Sequence, residues 1–102
     1  MQRKMDSDRI IIMTEKAYTY IVQCVDKTFY TGWTLDLERR IEEHNSENSK
    51  TKYTRKRQPV KLVYSEEFDT RAKAAQRESR IKELSRKEKI KVIQSKNPSF
   101  EA

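Results

Sequence analysis

Side chains that can move protons or bind anions are concentrated between residues 18 and 44 of this sequence. A YTY segment ends at Tyr20, and a YTG segment begins ten residues later at Tyr30. Arg40 follows after another ten residues, and the only histidine, His44, comes four residues after it. Phenol and imidazole groups transfer protons, and a guanidinium can bind two phosphate oxygens at once. If the two segments and the following helix pack together, these residues would form one site.

The stretch that contains Arg40 and His44 has the periodicity of an amphipathic helix. At about 100° per residue, Leu37, Ile41 and His44 fall on one face. Arg40 lies at the edge of that face and can reach toward the sheet, whereas Arg39 should face water. Taken singly, a lone histidine is more often a hydrogen-bonded core residue, and Arg40 could simply snorkel to solvent. The tyrosines, too, would be ordinary strand aromatics unless all these groups converge on one side of a sheet.

A carboxylate interrupts the apolar face of a later helix. Ala74, Ile81 and Leu84 define that face, and the same projection places Glu78 in its middle. A carboxylate there costs stability unless it is paired, solvated in a cleft or bound to a cation. Two interpretations stay open from periodicity alone. One is a salt bridge to a neighbour such as Arg77; the other is an oxygen ligand for Mg²⁺, which takes one or two carboxylates together with waters and phosphate oxygens.

Runs of aromatic and β-branched residues alternate with helical stretches along the chain, so the site residues would lie on a small sheet flanked by helices. Asp26-Lys27 is the expected tight turn of a hairpin whose second strand ends at Gly32. Thr34 is the expected N-cap of the first helix, and a capping box at Ser85-Arg86-Lys87-Glu88 begins the last. The predicted elements are strands at 17–25 and 28–31, a helix to about residue 45, a strand at 60–65 and helices at 71–84 and 86–94.

The composition is that of one small, highly charged domain. Of the 102 residues, 34% are hydrophobic and 38% are charged, so the core must be thin. The 23 Lys and Arg against 16 Asp and Glu give a net charge of +7, which favours a polyanionic partner, with nucleic acid ahead of an acidic membrane. A solubilising charge excess is the alternative. Cys24, the only cysteine, excludes an intramolecular disulfide and a Cys-based zinc site, and is expected to be a buried thiol.

The ends of the chain lack the pattern of the middle. We expect residues 1–15 to be an N-terminal extension, either an upstream addition or a disordered segment. Residues 16–95 form the single domain, and residues 96–102 are a frayed tail after Asn97-Pro98. The apolar run at residues 10–13 is too short for a signal-peptide core or a membrane span. We therefore expect a cytoplasmic location, no membrane partner and a monomer.

A long polar loop at residues 45–58 carries most of the remaining candidate contacts to a polyanion. Long loops in compact domains are usually functional or disordered. Five basic side chains surround one aromatic ring there, which resembles a cradle for a nucleic-acid backbone with one stacking or phosphate-bonding aromatic. The alternative is a solvated, mobile loop. The residues in question are Lys50, Lys52, Tyr53, Arg55, Lys56 and Arg57.

The YTY and YTG segments, DLERRIEEH and the later ESRIKEL together resemble the GIY-YIG endonuclease family, and most closely its small stand-alone bacterial members. The resemblance covers about residues 17–93, and the set of motifs in this order is fairly specific. It implies an α+β fold in which a three-stranded antiparallel sheet is flanked by helices, in the order β-β-α-β-α-α. It also implies an enzyme that hydrolyses DNA phosphodiester bonds with one metal ion, Mg²⁺ or Mn²⁺.

The same resemblance implies roles for individual residues. Tyr20 closes the first motif and Tyr30 opens the second, Arg40 is the essential arginine, His44 is the His-or-Tyr position, and Glu78 is the metal-binding glutamate. The chain departs from the family's name where Tyr18 replaces glycine and where Thr19 and Thr31 replace isoleucine. Gly32 is retained as the glycine of the second motif. Backbone pairing should survive the departures.

Two functions compete most closely. The first is a metal-dependent DNA endonuclease in repair or recombination, acting on branched, nicked or single-stranded DNA. The alternative is a nucleic-acid-binding protein on a nuclease-like scaffold with little or no turnover. A protein-interaction module with incidental charge is a weaker third. Paired tyrosines and a carboxylate on an apolar face are unnecessary for binding alone, so their presence favours the enzyme.

Overall fold

The computed structural model of the chain describes residues 15–102. Its three strands are β1 (Ala17–Gln23), β2 (Phe29–Thr34) and β3 (Lys61–Phe68). Its helices are α1 (Leu37–His44), α2 (Lys52–Arg55), α3 (Arg71–Lys82) and α4 (Arg86–Lys96). The predicted α+β class and element order are confirmed, and α2 is an extra single turn inside the predicted polar loop. Apart from Glu15, the N-terminal extension predicted for residues 1–15 lies outside the described residues.

The sheet has the order β2-β1-β3, with both pairings antiparallel. The central strand β1 reads AYTYIVQ, and all of its residues except Tyr18 are buried. Tyr20 lies opposite Gly32 on β2 and opposite Ser65 on β3. Because side chains alternate along a strand, β1 supplies residues to both faces of the sheet. The sheet therefore separates two cores.

The two cores differ in the helices that cover them. Ile21 of β1 lies in the core formed with α3 and α4, whose other buried members are Tyr64, Ile81, Ile93 and Phe100. Tyr20 and Val22 lie in the core on the opposite face, where Leu37 and Ile41 of α1 pack against them. Cys24 is buried in this second core, as predicted for the lone thiol. The helices thus form one layer on each side of the sheet.

Two predicted element boundaries in the first half of the chain are wrong. Strand β2 continues through Gly32 to Thr34, because Gly32 keeps its pairing with β1. The N-cap of α1 is Asp36, not Thr34; its carboxylate accepts the Arg39 N–H at 3.1 Å. Thr34 instead accepts the Asp36 N–H through its hydroxyl at 3.1 Å. Both residues are competent caps, and the longer strand selects the second.

The hairpin turn is also longer than the predicted two residues. Strand β1 ends at Gln23, and the Cys24 N–H donates to the Thr28 carbonyl at 2.8 Å across a five-residue loop. Lys27 has a φ of 74°, the left-handed conformation that the turn requires. The Thr28 N–H donates to the Asp26 carboxylate at 3.1 Å, which stabilises the turn without a glycine.

The C-terminal helices begin as predicted, but the end of the chain does not fray. Thr70 caps α3, and Ser85 with Glu88 forms the capping box of α4. Beyond α4, Phe100 is only 8% exposed and packs into the α3–α4 core. The Gln94 amide donates to the Phe100 carbonyl at 3.0 Å. The tail predicted for residues 96–102 therefore contributes to the core.

Candidate active site

The strongest candidate residues line one open cavity of about 790 Å³ between β2, α1 and α3. Tyr20 and Tyr30 reach it from the sheet, Arg40 from α1 and Glu78 from α3. Glu78 thus comes from the helical layer opposite the one that supplies Arg40. Gly32 and Lys50 also line the cavity, and His44 lies directly behind Tyr20. The structure brings together the residues that helical projection and motif position had selected separately.

A chain of hydrogen bonds runs from the cavity wall into the core. The Tyr20 hydroxyl lies 2.7 Å from His44 Nε2, and His44 Nδ1 lies 2.8 Å from the Thr54 hydroxyl. The Thr54 hydroxyl in turn donates to the Thr51 carbonyl at 3.3 Å. We assign the Thr54 hydroxyl proton to the Thr51 carbonyl, so that Thr54 accepts from His44 Nδ1–H. His44 Nε2 is then unprotonated and accepts the proton of the Tyr20 hydroxyl.

Burial sets the protonation of this chain. Tyr20, His44 and Thr54 are each 0% exposed. Burial raises the pKa of Tyr20 well above its usual value, and the positive charge of Arg40 lowers it by less. Burial, followed by the charge of Arg40, lowers the pKa of His44 below 6.5. Near neutral pH, Tyr20 is therefore a protonated phenol and His44 a neutral imidazole. Arg40 favours the Tyr20 phenolate, as predicted, but it does not overcome burial.

Gly32 gives the Tyr20 hydroxyl its position. A Cβ atom on residue 32 would lie 2.5 Å from the Tyr20 hydroxyl oxygen and 2.8 Å from the ring carbon that bears it. Carbon atoms do not approach so closely without displacement, so only glycine leaves room for the tyrosine at this register position. Gly32 therefore permits the close approach of the Tyr20 hydroxyl and does not form a bend at the end of the strand.

Aromatic contacts connect the loop 45–58 to the site. The Tyr30 ring lies edge-on to His44 at 5.2 Å and stacks with Tyr53 at 6.0 Å. The guanidinium of Arg57 lies 3.9 Å from the Tyr53 ring centre and pairs with Asp26 at 3.1 Å. Tyr53 and Arg57, predicted as nucleic-acid contacts, are thus already engaged within the protein. They hold the loop against Tyr30 and the hairpin turn.

The other predicted loop contacts differ in position. Lys50 lines the cavity, whereas Lys52, Arg55 and Lys56 are exposed on α2 and at its C-terminal end and do not line it. Arg55 donates to the Ser49 carbonyl at 3.4 Å, a long contact that leaves most of its side chain in solvent. These four residues remain available for an anion.

Glu78 is half-buried, as its place on the apolar helix face predicted. Its side chain is 19% exposed, and Lys82 Nζ lies 3.4 Å from one carboxylate oxygen. Arg77, the partner expected for a structural salt bridge, instead contacts Glu66 at 3.1 Å. Lys82 is itself 52% exposed, so its ion pair with Glu78 is weakly held. The carboxylate can therefore exchange this partner for a cation.

The donor set at the cavity fits a cation held by one protein carboxylate. Among residues 15–102, no three His, Cys, Asp or Glu side chains group closely enough to form a metal site by themselves. Of the other carboxylates at the cavity, Glu43 pairs with Arg40 at 3.4 Å and Asp36 caps α1. Mg²⁺ commonly takes one carboxylate and completes its shell with water and substrate phosphate. Glu78 fits that pattern.

The structure separates Tyr18 from the site and adds two residues to it. Tyr18 lines a different groove with Leu37, Ile41 and Leu62, away from the tyrosine pair. Thr54 was missed because a threonine in a polar loop carries no sequence signal of its long-range partner. Trp33, which lines the cavity beside Gly32, was also missed, although it is the only tryptophan in the chain. Arg39 is exposed, as predicted, but lies at the cavity rim.

Comparison with known proteins agrees with the fold and with the predicted family. A family model described as the GIY-YIG catalytic domain matches residues 16–91. A UPF0213 protein of Syntrophus aciditrophicus is 49% identical over 83 residues, covering 81% of this chain and 94% of that protein. A UPF0213 protein of Clostridium perfringens is 50% identical over 80 residues, covering 78% and 85%.

Two solved structures are also similar. The solution NMR structure of a UPF0213 protein from Bacillus halodurans has a TM-score of 0.53 and 38% identity, covering 79% of this chain and 85% of that one. A solution NMR structure of a protein from E. faecalis has a TM-score of 0.56 and 35% identity, covering 85% and 92%. Within residues 15–102, no helix is both long enough and apolar enough to span a membrane.

Proposed function

The chain belongs to the GIY-YIG catalytic-domain family, a nuclease family, and on that premise we propose that it is a metal-dependent DNA endonuclease. The observation that carries the proposal is the convergence of Tyr20, Tyr30, Arg40 and Glu78 on one cavity, with His44 bonded to Tyr20. The four cavity residues come from the sheet and from two helices on opposite faces of it. We further propose a role in DNA repair or recombination.

Hydrolysis begins with removal of a proton from water, and Tyr20 with His44 performs this step. The water passes its proton to the Tyr20 oxygen while the Tyr20 hydroxyl proton moves to His44 Nε2. This relay suits a tyrosine whose pKa is raised by burial, because no free phenolate has to accumulate. Tyr20 is 0% exposed, so the proposal requires that substrate binding brings the water to its hydroxyl. Tyr30 packs against His44 and positions it.

Arg40 and Glu78 stabilise the negative charge that develops at the phosphate. The water oxygen forms the new bond to phosphorus, and the bond to the leaving oxygen breaks. The Arg40 guanidinium can bind two of the phosphate oxygens as negative charge develops. Glu78 would hold one Mg²⁺ or Mn²⁺, which when bound supplies charge stabilisation for the departing oxyanion.

The basic side chains around the cavity would hold the DNA backbone. Lys50 lies at the cavity, and Lys52, Arg55 and Lys56 extend the positive surface along α2. Contacts of this type release counterions, so affinity falls steeply with added salt. A binding constant that stays flat between low and moderate salt would contradict this assignment.

The proposal is tested by substituting Glu78 with glutamine, which removes the charge and preserves the shape of the side chain. We expect a loss of cleavage of about 10³-fold or more, since a catalytic metal contributes several kcal/mol. Glu83→Gln is the matched control, because Glu83 lies at the exposed C-terminal end of the same helix. Melting temperature should be almost unchanged in both variants. Full activity in the Glu78→Gln variant would refute the metal assignment.

Substrate panels separate the nuclease from a protein that only binds. Branched, nicked and single-stranded DNA are incubated with Mg²⁺ or with chelator at equal ionic strength. Cleavage that requires metal supports the proposal. Binding without cleavage in any condition supports the alternative of a nucleic-acid-binding protein on this scaffold. If the protein neither binds nor cleaves any of these DNAs, both hypotheses are refuted.

A further inference from the structure

Trp33 is a large aromatic residue that serves neither hydrophobic core. Its side chain is half-buried and lines the cavity beside Gly32. Among residues 15–102, the two clusters of buried and partly buried hydrophobic side chains do not include it. A tryptophan usually buries a large apolar area, whereas this indole keeps part of its surface at a cavity lined by charged groups. This placement calls for a ligand rather than a packing role.

The surroundings of Trp33 indicate what that ligand is. The cavity contains one flat aromatic surface that lies outside both cores, together with cationic side chains from α1 and the following loop. Arg39, Arg40 and Lys50 provide the positive charge. A nucleotide offers the matching pair of groups, a flat base and an anionic phosphate. In protein complexes with single-stranded nucleic acid, bases stack on aromatic rings while basic side chains follow the backbone.

Tyr53, the other exposed aromatic near the site, cannot take this role. Its ring is already stacked with Tyr30 at 6.0 Å and contacted by the Arg57 guanidinium at 3.9 Å. A base would have to displace one of these two neighbours. Trp33 has no such stacking partner among the aromatic and cationic groups of the described residues.

The strand that carries Trp33 leaves room for an approaching chain. Strand β2 is an edge of the sheet in the order β2-β1-β3, and no segment of residues 15–102 forms a strand on its other side. Trp33 is held on that rigid edge by its pairing with Thr19. In a paired duplex each base is covered above and below by its neighbours, whereas an unpaired base can turn its face to a side chain.

We propose that Trp33 stacks on an unpaired base next to the phosphate bound at Arg40, so that the substrate class is nucleic acid with unpaired nucleotides. This inference rests on the proposed function for the phosphate position. It adds that fully paired duplex is a poor ligand at the cavity. Single strands, flaps and junctions share the unpaired nucleotide that the indole would contact.

The test uses Trp33 as its own reporter, because it is the only tryptophan in the chain. The wild-type protein is titrated, with chelator present to prevent cleavage, against three DNA ligands of equal charge. These are a single strand, the same strand with its central bases replaced by abasic sites, and a hairpin-closed duplex. Binding is measured independently by anisotropy of a labelled strand. We expect tryptophan fluorescence to be quenched strongly by the single strand and little by the other two.

The variant Trp33→Leu should weaken binding of the normal single strand by about 5- to 100-fold, as expected for one stacked base. It should leave binding of the abasic strand nearly unchanged, and Trp33→Phe should recover part of the loss. Equal losses on the normal and abasic strands would mean that Trp33 only shapes the cavity, and would overturn the inference. Single-strand binding by anisotropy without quenching would overturn it as well.

Failure of this inference is distinguishable from failure of the proposed function. If the protein cleaves paired duplex with metal as fast as unpaired DNA, the nuclease assignment stands and the role of Trp33 is refuted. If no nucleic acid binds in the anisotropy assay, both are refuted.

Discussion

The two faces of the sheet are equally buried but chemically opposite. On the face covered by α3 and α4, Ile21, Ile81 and Ile93 are 0% exposed and belong to one hydrophobic core. On the face covered by α1, Tyr20 and His44 are also 0% exposed, yet they present a phenol and an imidazole to each other. Burial alone therefore does not distinguish a core from a site. The partners of the buried polar atoms do.

On the face covered by α1, the polar face, a continuous series of hydrogen bonds gives the buried polar groups their partners. A buried polar group without a partner costs about 1–3 kcal/mol, and this face buries several polar side chains that therefore need partners. Tyr20 donates to His44, His44 to Thr54, and Thr54 to the Thr51 carbonyl. On the face covered by α3 and α4, the apolar face, the Thr19 hydroxyl donates to the Ala74 carbonyl at 2.7 Å, and burial of the apolar side chains there is favourable by itself. The apolar face stabilises the fold. The polar face holds its protons in a defined arrangement, at some cost in stability.

A pair of substitutions, one on each face of the sheet, tests the difference between the two faces most directly. Tyr20→Phe should lower cleavage by about 10²- to 10⁴-fold, the usual contribution of a positioned proton acceptor. It should lower the free energy of unfolding by about 1–3 kcal/mol, because His44 Nε2 is left buried without its partner. Ile81→Ala should lower the free energy of unfolding by about 2–5 kcal/mol through loss of apolar contacts and cavity formation. The cleavage rate per folded molecule should then stay near that of the wild type.

The measurements are single-turnover cleavage rates and urea unfolding curves on all proteins. Ile93→Ala is the matched control for the apolar face, because Ile93 lies in the same core on the neighbouring helix. If Tyr20→Phe proved as destabilising as Ile81→Ala while remaining active, the division between the two faces would be wrong.

A smaller effect is expected from Gly32→Ala, which changes the polar face without removing any of its functional groups. The added Cβ, 2.5 Å from the Tyr20 hydroxyl oxygen, must displace the ring by a sizeable fraction of an ångström. Misplacement of about 1 Å can cost about 10²-fold in rate, and we expect a loss of up to that size. Overpacking should lower stability by about 1–3 kcal/mol.

The control for Gly32→Ala is the double variant Gly32→Ala with Tyr20→Phe. Removing the hydroxyl relieves the shortest contact, so Gly32→Ala should cost less stability in the Tyr20→Phe background than in the wild type. If it cost as much in both backgrounds, the clash with Tyr20 would not be the cause.

Local patterns in the sequence predicted much of this arrangement. The helical projection placed Glu78 on a buried face and separated Arg40 from Arg39, because both conclusions depend only on the helical repeat. The order of strands and helices along the chain was predicted in the same way, from runs of β-branched residues that alternate with helical repeats. These features are encoded within one element, so one element of sequence suffices to predict them.

Features that depend on contacts between elements were not predictable. Thr54 lies in a four-residue helix whose sequence, KYTR, has no apolar repeat, and its importance comes entirely from His44. Tyr53 reads as a free aromatic until the positions of Tyr30 and Arg57 are known. Phe100 follows a proline and reads as a frayed end, although it packs in the core.

The smallest expected effect concerns the protonation of His44, the only histidine and so a single signal in nitrogen-15 NMR spectra. Near neutral pH, Nδ1 should carry the proton and Nε2 should be bare, because Thr54 accepts from Nδ1. Thr54→Val removes that acceptor, so we expect a mixture of tautomers and about a tenfold loss of cleavage. Thr54→Ser keeps the hydroxyl and should restore both. A single Nδ1–H tautomer in the valine variant would show that Thr54 does not set it.

The same signal gives the pH dependence. The pKa of His44 is lowered below its ordinary value of 6.5 by burial and then by Arg40, so the folded chain takes up this proton later than the unfolded chain as the pH falls. Its contribution to stability is complete above 6.5 and is lost as the pH falls toward the folded-state pKa, since the unfolded state then binds more protons. Cleavage should fall over the same range, because protonated Nε2 no longer accepts from Tyr20. Ile81→Ala does not change the surroundings of His44, the only histidine, so this variant should lose stability with falling pH in parallel with the wild type. A different midpoint in that variant would mean that the two faces are coupled.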